Sequence, residues 1–203
     1  GFAKLMGNYA SNELDSGDRF SVSLERNFER LRPDAPPFVI NPRDELIIPA
    51  GDHAFDRWLA RYQGYSGRAW IADVQLEGGE FYNGHRTGAA LSGTWRASPH
   101  LLLQGDYEVH RISLPLDEFS THLVRGRFGV PFTSKIRTDA FLQWNNLTAD
   151  GGREFSTQVR FRLTYGRDSN LFVVFTDQDQ DLVTGLPRRN QAVQMKLTYR
   201  LYR

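Results

Sequence analysis

Apolar and polar residues alternate along most of the chain with a period of two, which indicates β-strands rather than helices. Within residues 158–165, Val159, Phe161, Leu163 and Tyr165 alternate with Gln, Arg and Thr. This spacing puts the large apolar groups on one face of a strand and the polar groups on the other. The chain is therefore predicted to be all-β.

The same alternation predicts which residues share each face of the sheet. The apolar face gains Trp70, Val74, Leu76, Leu103, Tyr107, Met195, Leu197 and Tyr199. The polar face receives a basic set: Arg125, Arg127, Arg160, Arg162, Lys196 and Arg200. Three apolar residues fall on the polar face as exceptions, namely Ile71, Leu102 and Phe141.

Strand length favours a membrane-spanning sheet over a soluble one. The pattern gives about eleven strands of about 10 to 13 residues, with a Pro-rich connection at 32–51 between the second and third. Strands of soluble proteins average about 5–6 residues, whereas a tilted transmembrane strand needs about 9–11.

Connection lengths point the same way. Tight turns are predicted at 97–100, 131–134 and 166–169, and longer connections at 78–86, 113–118, 147–153 and 177–189. Outer-membrane barrels alternate short periplasmic turns with longer external loops. The predicted fold class is an all-β, antiparallel up-and-down meander of about 10 to 12 long strands, part of a transmembrane β-barrel with a periplasmic C-terminus.

Aromatic residues fall near the predicted strand ends. Those near the tight turns are Trp70, Trp95, Tyr165 and Tyr199, and those near the longer connections are Trp144 and Phe155. Barrels carry such aromatic girdles at both membrane interfaces. The alternative is a soluble β-sandwich whose core these aromatics cap, binding glycans by sugar stacking on exposed Trp58 or Trp144.

The chain is predicted to be a single β-barrel domain over residues 1–203. Because bacterial single-chain barrels have even strand numbers and closed barrels leave no free edge, further strands and an upstream module are expected before Gly1. The expected partners are outer-membrane lipid and either further strands or domains of the same polypeptide or an assembly partner.

Composition excludes several classes of function. The 25 Lys and Arg residues nearly balance 24 Asp and Glu, so no net field draws the chain to nucleic acid. No cysteine occurs, which excludes disulfides, thiolate metal sites and a cysteine nucleophile.

An outer-membrane hydrolase is the catalytic alternative. His110 and His122 flank one predicted external hairpin near Ser113 and Ser120, and the two histidines could approach each other across it. No nucleophile-elbow motif surrounds either serine. We therefore assign no catalytic residue and no cofactor, and we expect the chain not to be an enzyme.

Asp177, Asp179 and Asp181 are weak calcium candidates, because carboxylates at alternate positions begin calcium-binding loops. Leu182 stands where such a loop needs its turn glycine, and no glutamate closes it. A solvated external loop is the favoured interpretation.

The basic set on the polar face leaves two interpretations open. Inward cations line pores that favour anions or anionic sugars. The same face is also predicted to carry five acids that could neutralise them: Asp73, Glu77, Asp106, Glu108 and Asp139.

A series of motifs adds a family resemblance. In chain order the motifs are IPAGDHAFDR at 48–57, GGEFYNG at 78–84, TWRASPHL at 94–101, FSTHLVR at 119–125, DSNLFVVF at 168–175 and KLTY at 196–199. Together they resemble the uncharacterised C-terminal outer-membrane barrel domain of proteins whose N-terminal part is similar to a family-nine carbohydrate-binding module. The resemblance covers nearly the whole chain and implies a Gram-negative outer membrane. It implies no established activity. The leading hypothesis is that the barrel anchors, or provides passage for material handled by, a larger protein, with glycans as one such material.

Overall fold

The structure, a computed structural model, describes residues 2–34, 38–41, 46–98, 100–115, 117–147, 152–166, 169–181 and 186–200. Strands account for most of these residues, which confirms the all-β prediction. No helix within the described ranges is long and apolar enough to cross a membrane.

Eleven of the thirteen described strands form one antiparallel sheet. The strands are β1 (Phe2–Glu13), β2 (Arg19–Leu31), β3 (Phe38–Asn41), β4 (Leu46–Ile48), β5 (Gly51–Gln63), β6 (Trp70–Phe81), β7 (Gly84–Ser98), β8 (Leu101–Leu114), β9 (Asp117–Pro131), β10 (Ile136–Asn145), β11 (Arg153–Gly166), β12 (Ser169–Asp181) and β13 (Arg188–Thr198). The sheet order is β1-β2-β5-β6-β7-β8-β9-β10-β11-β12-β13, while β3 and β4 pair separately. The predicted meander and its long connection between the second and third sheet strands are therefore confirmed.

The sheet is open, with β1 and β13 at its two edges. Because every neighbouring pair is antiparallel, the first and last of eleven strands run in the same direction. Closing this sheet into an all-antiparallel barrel requires an odd number of additional strands.

The connections divide between two ends of the sheet. At the lower end β1 is joined to β2, β5 to β6, β7 to β8, β9 to β10 and β11 to β12, and at the upper end β2 is joined to β5, β6 to β7, β8 to β9, β10 to β11 and β12 to β13. The prediction that all upper connections are long is wrong at 82–83 and 115–116, which are two-residue connections. There the strands continue past the alternating segment.

The turn between β6 and β7 contains an unusual backbone conformation. Tyr82 has a φ of 53°, in the left-handed region that non-glycine residues seldom adopt. The Tyr82 hydroxyl donates a hydrogen bond of 2.5 Å to Glu29, and its ring packs against Phe55 and Phe81. Burial, reinforced by Glu29, raises the pKa of Tyr82, so the phenol remains a hydrogen-bond donor. Tertiary contacts thus hold the strained residue.

Asp18 joins two neighbouring connections at the lower end. Its carboxylate accepts hydrogen bonds from the Tyr65 amide at 2.7 Å, from both terminal nitrogens of Arg68 at 2.8 and 3.0 Å, and from the Ser16 hydroxyl at 2.7 Å. The hydrogen bonds from Arg68 are the main cause of a strongly lowered pKa of Asp18. The ionised carboxylate therefore fixes the 64–69 connection to the 14–18 turn.

Replacing Asp18 with Asn is expected to release this connection, because the amide cannot accept the paired bonds from Arg68. Since the pKa of Asp18 is lowered on folding, the carboxylate stabilises the turn at and above its ordinary titration range, and the effect is lost as the pH falls below it. Hydrogen exchange at the Tyr65 amide should speed up in Asp18→Asn at neutral pH. The control, Asp15→Asn in the same turn, should leave that exchange unchanged; equal rates in both variants would contradict the assignment.

Candidate membrane surface and polar face

The strand register places the predicted apolar residues on one continuous face. Trp70 pairs with Trp95, which pairs with Leu103, and Val74 pairs with Leu91 in the same way. The resulting apolar belt consists of Val22, Leu24, Ala60, Val74, Leu76, Leu91, Leu103, Tyr107, Val124, Phe128, Ala140, Leu142, Val159, Phe161, Leu163, Val173, Phe175, Val193, Met195 and Leu197. Tyr199 follows the end of β13, so the register does not assign it a face.

No described element of the chain covers the apolar belt. Leu91 is 50% exposed, Met195 69% and Leu197 67%. The second sheet that a β-sandwich would need is absent from the described residues, where the remaining strands are β3 and β4. The β-sandwich alternative is therefore wrong for the described fold.

The apolar belt has the height of a membrane and lacks charge over most of its width. On β2 and β5–β11, no Asp, Glu, Lys or Arg lies on this face between the lower row at Trp70 and Trp95 and the upper row at Trp58 and Trp144. On β12 the first charged residue on this face is Asp177, directly opposite Thr157. Along β11, ten residues separate Phe155 from Tyr165, about 34 Å at ~3.4 Å per residue. At a strand tilt of about 40–45° this spans about 25 Å, the height of the apolar band of membrane barrels.

Aromatic residues border the apolar belt at both ends. At the lower end the rings of Trp70 and Trp95 stack with centroids 4.5 Å apart, and the Tyr165 hydroxyl donates to the Thr198 carbonyl at 2.7 Å. At the upper end Trp144 lies directly opposite Phe155. The aromatics predicted near strand ends thus form two rims, with Tyr199 just beyond β13.

At the upper end of the sheet, the face that carries the apolar belt becomes polar and holds salt bridges between neighbouring strands. They are Arg26–Asp56 at 3.5 Å, Arg30–Asp52 at 2.6 Å, Arg189–Asp177 at 2.6 Å and Arg111–Glu118. Such exposed pairs contribute about 1 kcal/mol or less each. Their position matters more, since they show where this face becomes fully polar.

The calcium candidates lie in this upper region. The Asp177 carboxylate accepts hydrogen bonds from Arg189 and Gln191. It does not converge with the other two carboxylates as calcium ligands in a loop would. Asp177, Asp179 and Asp181 all belong to β12, an extended strand. The described residues contain no group of three or more side chains placed to hold a metal ion.

A small hydrophobic core covers the upper part of the polar face. Ile48, at the end of β4, packs with Ile112 and Leu114 of β8, all less than 9% exposed. Phe81, Tyr82 and neighbouring apolar residues surround them. Ile48, at the end of the long connection between β2 and β5, therefore packs on the polar face and not on the apolar belt.

A buried charged cluster lies just below this core, around Glu77 on β6. Glu77 is 8% exposed, and its carboxylate contacts Arg57 at 3.0 Å and Arg86 at 2.8 Å. His110 contacts Glu77 at 3.2 Å through Nδ1 and Glu108 at 2.6 Å through Nε2. Two carboxylates and two guanidiniums thus neutralise one another across β5 to β8.

Gly88 makes the room that this cluster needs. A Cβ at Gly88 would lie 2.3 Å from His110 Nδ1 and 3.0 Å from Glu77 Cγ. The sequence pattern does not reveal the cluster, because its members come from four strands. Strand pairing places Glu77 opposite Gly88, and Gly88 opposite His110. This arrangement cannot be seen before the strands are paired.

The histidines of the hydrolase hypothesis point to opposite faces. His110 pairs with Thr121 and belongs to the polar face, whereas His122 pairs with Val109 and lies on the apolar face. His122 Nδ1 is 2.9 Å from the Tyr107 hydroxyl. The expectation that the two histidines approach each other is therefore wrong, and no described serine is hydrogen-bonded to either.

Five members of the predicted basic set lie on the polar face as expected: Arg125, Arg127, Arg160, Arg162 and Lys196. Arg200 follows the end of β13, and its amide donates to the Ser169 hydroxyl at 3.3 Å. The five proposed counter-charges are on this face too, but four of them, Asp73, Glu77, Asp106 and Glu108, belong to β6 and β8, where Asp106 lies directly opposite Arg125. The acids therefore neutralise mainly the cations of β5 to β8 and leave most of the basic set on β9 to β13 without acidic neighbours.

Comparison with known proteins found no matching family model, curated protein or solved structure.

Proposed function

We propose that this chain forms part of the wall of a transmembrane β-barrel in a bacterial outer membrane. In this proposal the apolar belt faces lipid and the polar face lines the interior. One observation carries it: an apolar face of membrane height, free of charged residues on β2 and β5–β11, bordered by aromatic rims, that no described part of the chain covers. Monomeric soluble proteins rarely expose an apolar surface of this extent.

The polar boundary supports the same orientation. Salt-bridged residues of β2 and β5 appear on the outer face above the upper rim, at the end that holds the longest connection. Barrels place their longer loops outside the cell. The lower end, with the C-terminal side of β13, then faces the periplasm.

The open edges define what the proposal requires of the rest of the protein. Unpaired strand edges cannot face hydrocarbon, because their backbone groups would lack hydrogen bonds. β1 and β13 must each pair with another strand, supplied by the same polypeptide or by an assembly partner. The proposed role of the completed barrel is anchorage or passage for a larger protein.

The test is detergent dependence of the folded state. The chain is refolded with and without a mild zwitterionic detergent and examined by sedimentation and by gel migration before and after heating. We expect a monodisperse, heat-modifiable form in detergent and aggregation without it. A monodisperse, folded chain in plain buffer would overturn the membrane assignment.

A further inference from the structure

The polar face is divided by charge into two parts. On β5 to β8 the cations Arg57 and Arg86 are bound to Glu77. On β9 to β13, by contrast, the lower half of the face carries six cations: Arg125, Arg127, Arg137, Arg160, Arg162 and Lys196. On these strands Asp139 is the one acid in that half of the face, and Asp106 of the neighbouring β8 lies directly opposite Arg125. This part of the face therefore has a strong excess of positive charge.

The single acid is already occupied. Asp139 lies directly opposite Arg160 in the register, but its carboxylate binds Arg137 at 2.7 Å on its own strand. Arg125, Arg127, Arg160, Arg162 and Lys196 form no salt bridge with any described residue.

The register also brings like charges together. Arg137 and Arg162 are direct cross-strand neighbours. Like charges in this position destabilise a sheet. Arg137 is paired with Asp139, whereas Arg162 has no salt bridge with a described residue, so an anion from outside the chain would relieve the repulsion.

Two clefts adjoin the cations and share Arg160. The first, of about 500 Å³, is lined by Arg127, Arg137, Asp139, Phe141, Gln158 and Arg160, and the Asp139 carboxylate in it is bound to Arg137. The second, of about 410 Å³, is lined on the other side of Arg160 by Phe172, Gln194 and Lys196. Volumes of this order suit small ligands.

One guanidinium of the first cleft packs on an aromatic ring. The Arg127 guanidinium lies over the Phe141 ring, 5.8 Å from its centroid, and Phe141 is one of the residues that broke the sequence alternation. A planar guanidinium binds carboxylate, phosphate and sulfate groups through paired hydrogen bonds. Phe141, an apolar residue on the polar face, thus supports the Arg127 guanidinium.

We propose that these two clefts form a binding site for a water-soluble solute with at least two anionic groups, one group in each cleft and Arg160 between them. The inference rests on the proposed function, because lipid on the apolar belt leaves the polar face to water. The anionic groups are carboxylate, phosphate or sulfate, which share the chemistry that guanidinium recognises. Arg127 and Lys196 hold the outer ends of the solute.

The test uses isothermal titration of the chain folded in zwitterionic detergent with tripolyphosphate and with citrate, and with maltotriose as an uncharged probe. Arg160→Gln is expected to weaken binding of both anions by about 10- to 100-fold, the effect of losing hydrogen bonds to charged groups. Arg127→Gln and Lys196→Gln, one for each cleft, provide independent variants should Arg160→Gln fold poorly. Arg61→Gln is the matched control, since Arg61 lies on the polar face of β5 and donates to Gln75.

Binding of both anions that Arg160→Gln weakens and Arg61→Gln leaves intact supports the site. Equal losses in the two variants, or binding of maltotriose as tight as that of the anions, would overturn it. Absence of anion binding by a heat-modifiable, detergent-folded chain also overturns the site while leaving the membrane assignment standing. If the chain folds without detergent the membrane assignment fails instead, and the same titration in buffer still decides whether the anions bind.

Discussion

An arginine in place of Leu91 is expected to destabilise the folded chain in a lipid bilayer by about 2–4 kcal/mol, the cost of a basic residue on the lipid face near the bilayer midplane. Leu91 lies midway along the apolar belt on β7, between Thr87 and Trp95, and is 50% exposed. A charge here has no acid on the same face within the belt to bind. Equilibrium unfolding from lipid vesicles by denaturant measures the change.

The next residue provides the control. Ser92 lies on the polar face, directly opposite Asp73 on one side and Asp106 on the other. Ser92→Arg should therefore change the free energy of unfolding by no more than about 0.5 kcal/mol. If Leu91→Arg were as mild as Ser92→Arg, the apolar belt would be facing water rather than lipid.

Removing the Glu77 carboxylate is expected to cost about 3–5 kcal/mol, as breaking a buried ion pair does when one partner is left uncompensated. Glu77→Ala leaves two guanidiniums, those of Arg57 and Arg86, which are themselves only 21% and 24% exposed. His110 loses one of its two acidic contacts as well. Denaturant unfolding in detergent, with a parallel measurement of the gel-shift temperature, reports the loss.

Glu108→Ala tests whether the position of the charge matters. Glu108 belongs to the same cluster, but its side chain is 43% exposed and contacts His110 alone. Its removal should cost about 1 kcal/mol or less, as for other exposed ion pairs. Equal losses in the two variants would show that Glu77 is no more shielded from water than Glu108.

The sequence predicts the two faces of the sheet well, because period-two alternation is the direct signature of a strand with unlike faces. The alternation of Val159, Phe161 and Leu163 continues across the whole sheet once the strands are paired. Even the exceptions, Ile71 and Phe141, lie on the face to which the alternation assigns them.

Alternation is less informative beyond the apolar belt. At the upper ends of β6 and β7, residues such as Gly79, Glu80 and His85 no longer follow an apolar pattern, so the segment resembles a loop. Backbone pairing nevertheless continues to a two-residue turn. Gly79 permits this continuation, since its φ is 147° and a Cβ would lie 2.3 Å from the Asp56 carbonyl oxygen.

The partners of charged residues could not be predicted either. One-dimensional alternation says that Arg160 and Asp139 share a face, but not that Asp139 binds Arg137 instead. The separation of charge along the polar face depends on strand order and register together. The same limitation concealed that His110 and His122 project to opposite sides of their hairpin.

Strands that are adjacent in the large sheet also follow one another along the chain, except that β3 and β4 lie between β2 and β5 in the sequence. The entropy lost in closing a loop grows with the logarithm of its length, so the short turns cost least and the nineteen residues from 32 to 50 cost most. Such low contact order favours rapid, stepwise growth of the sheet from local hairpins. It also makes the architecture modular: a hairpin gained or lost at an edge changes the circumference of the barrel while every remaining register is preserved.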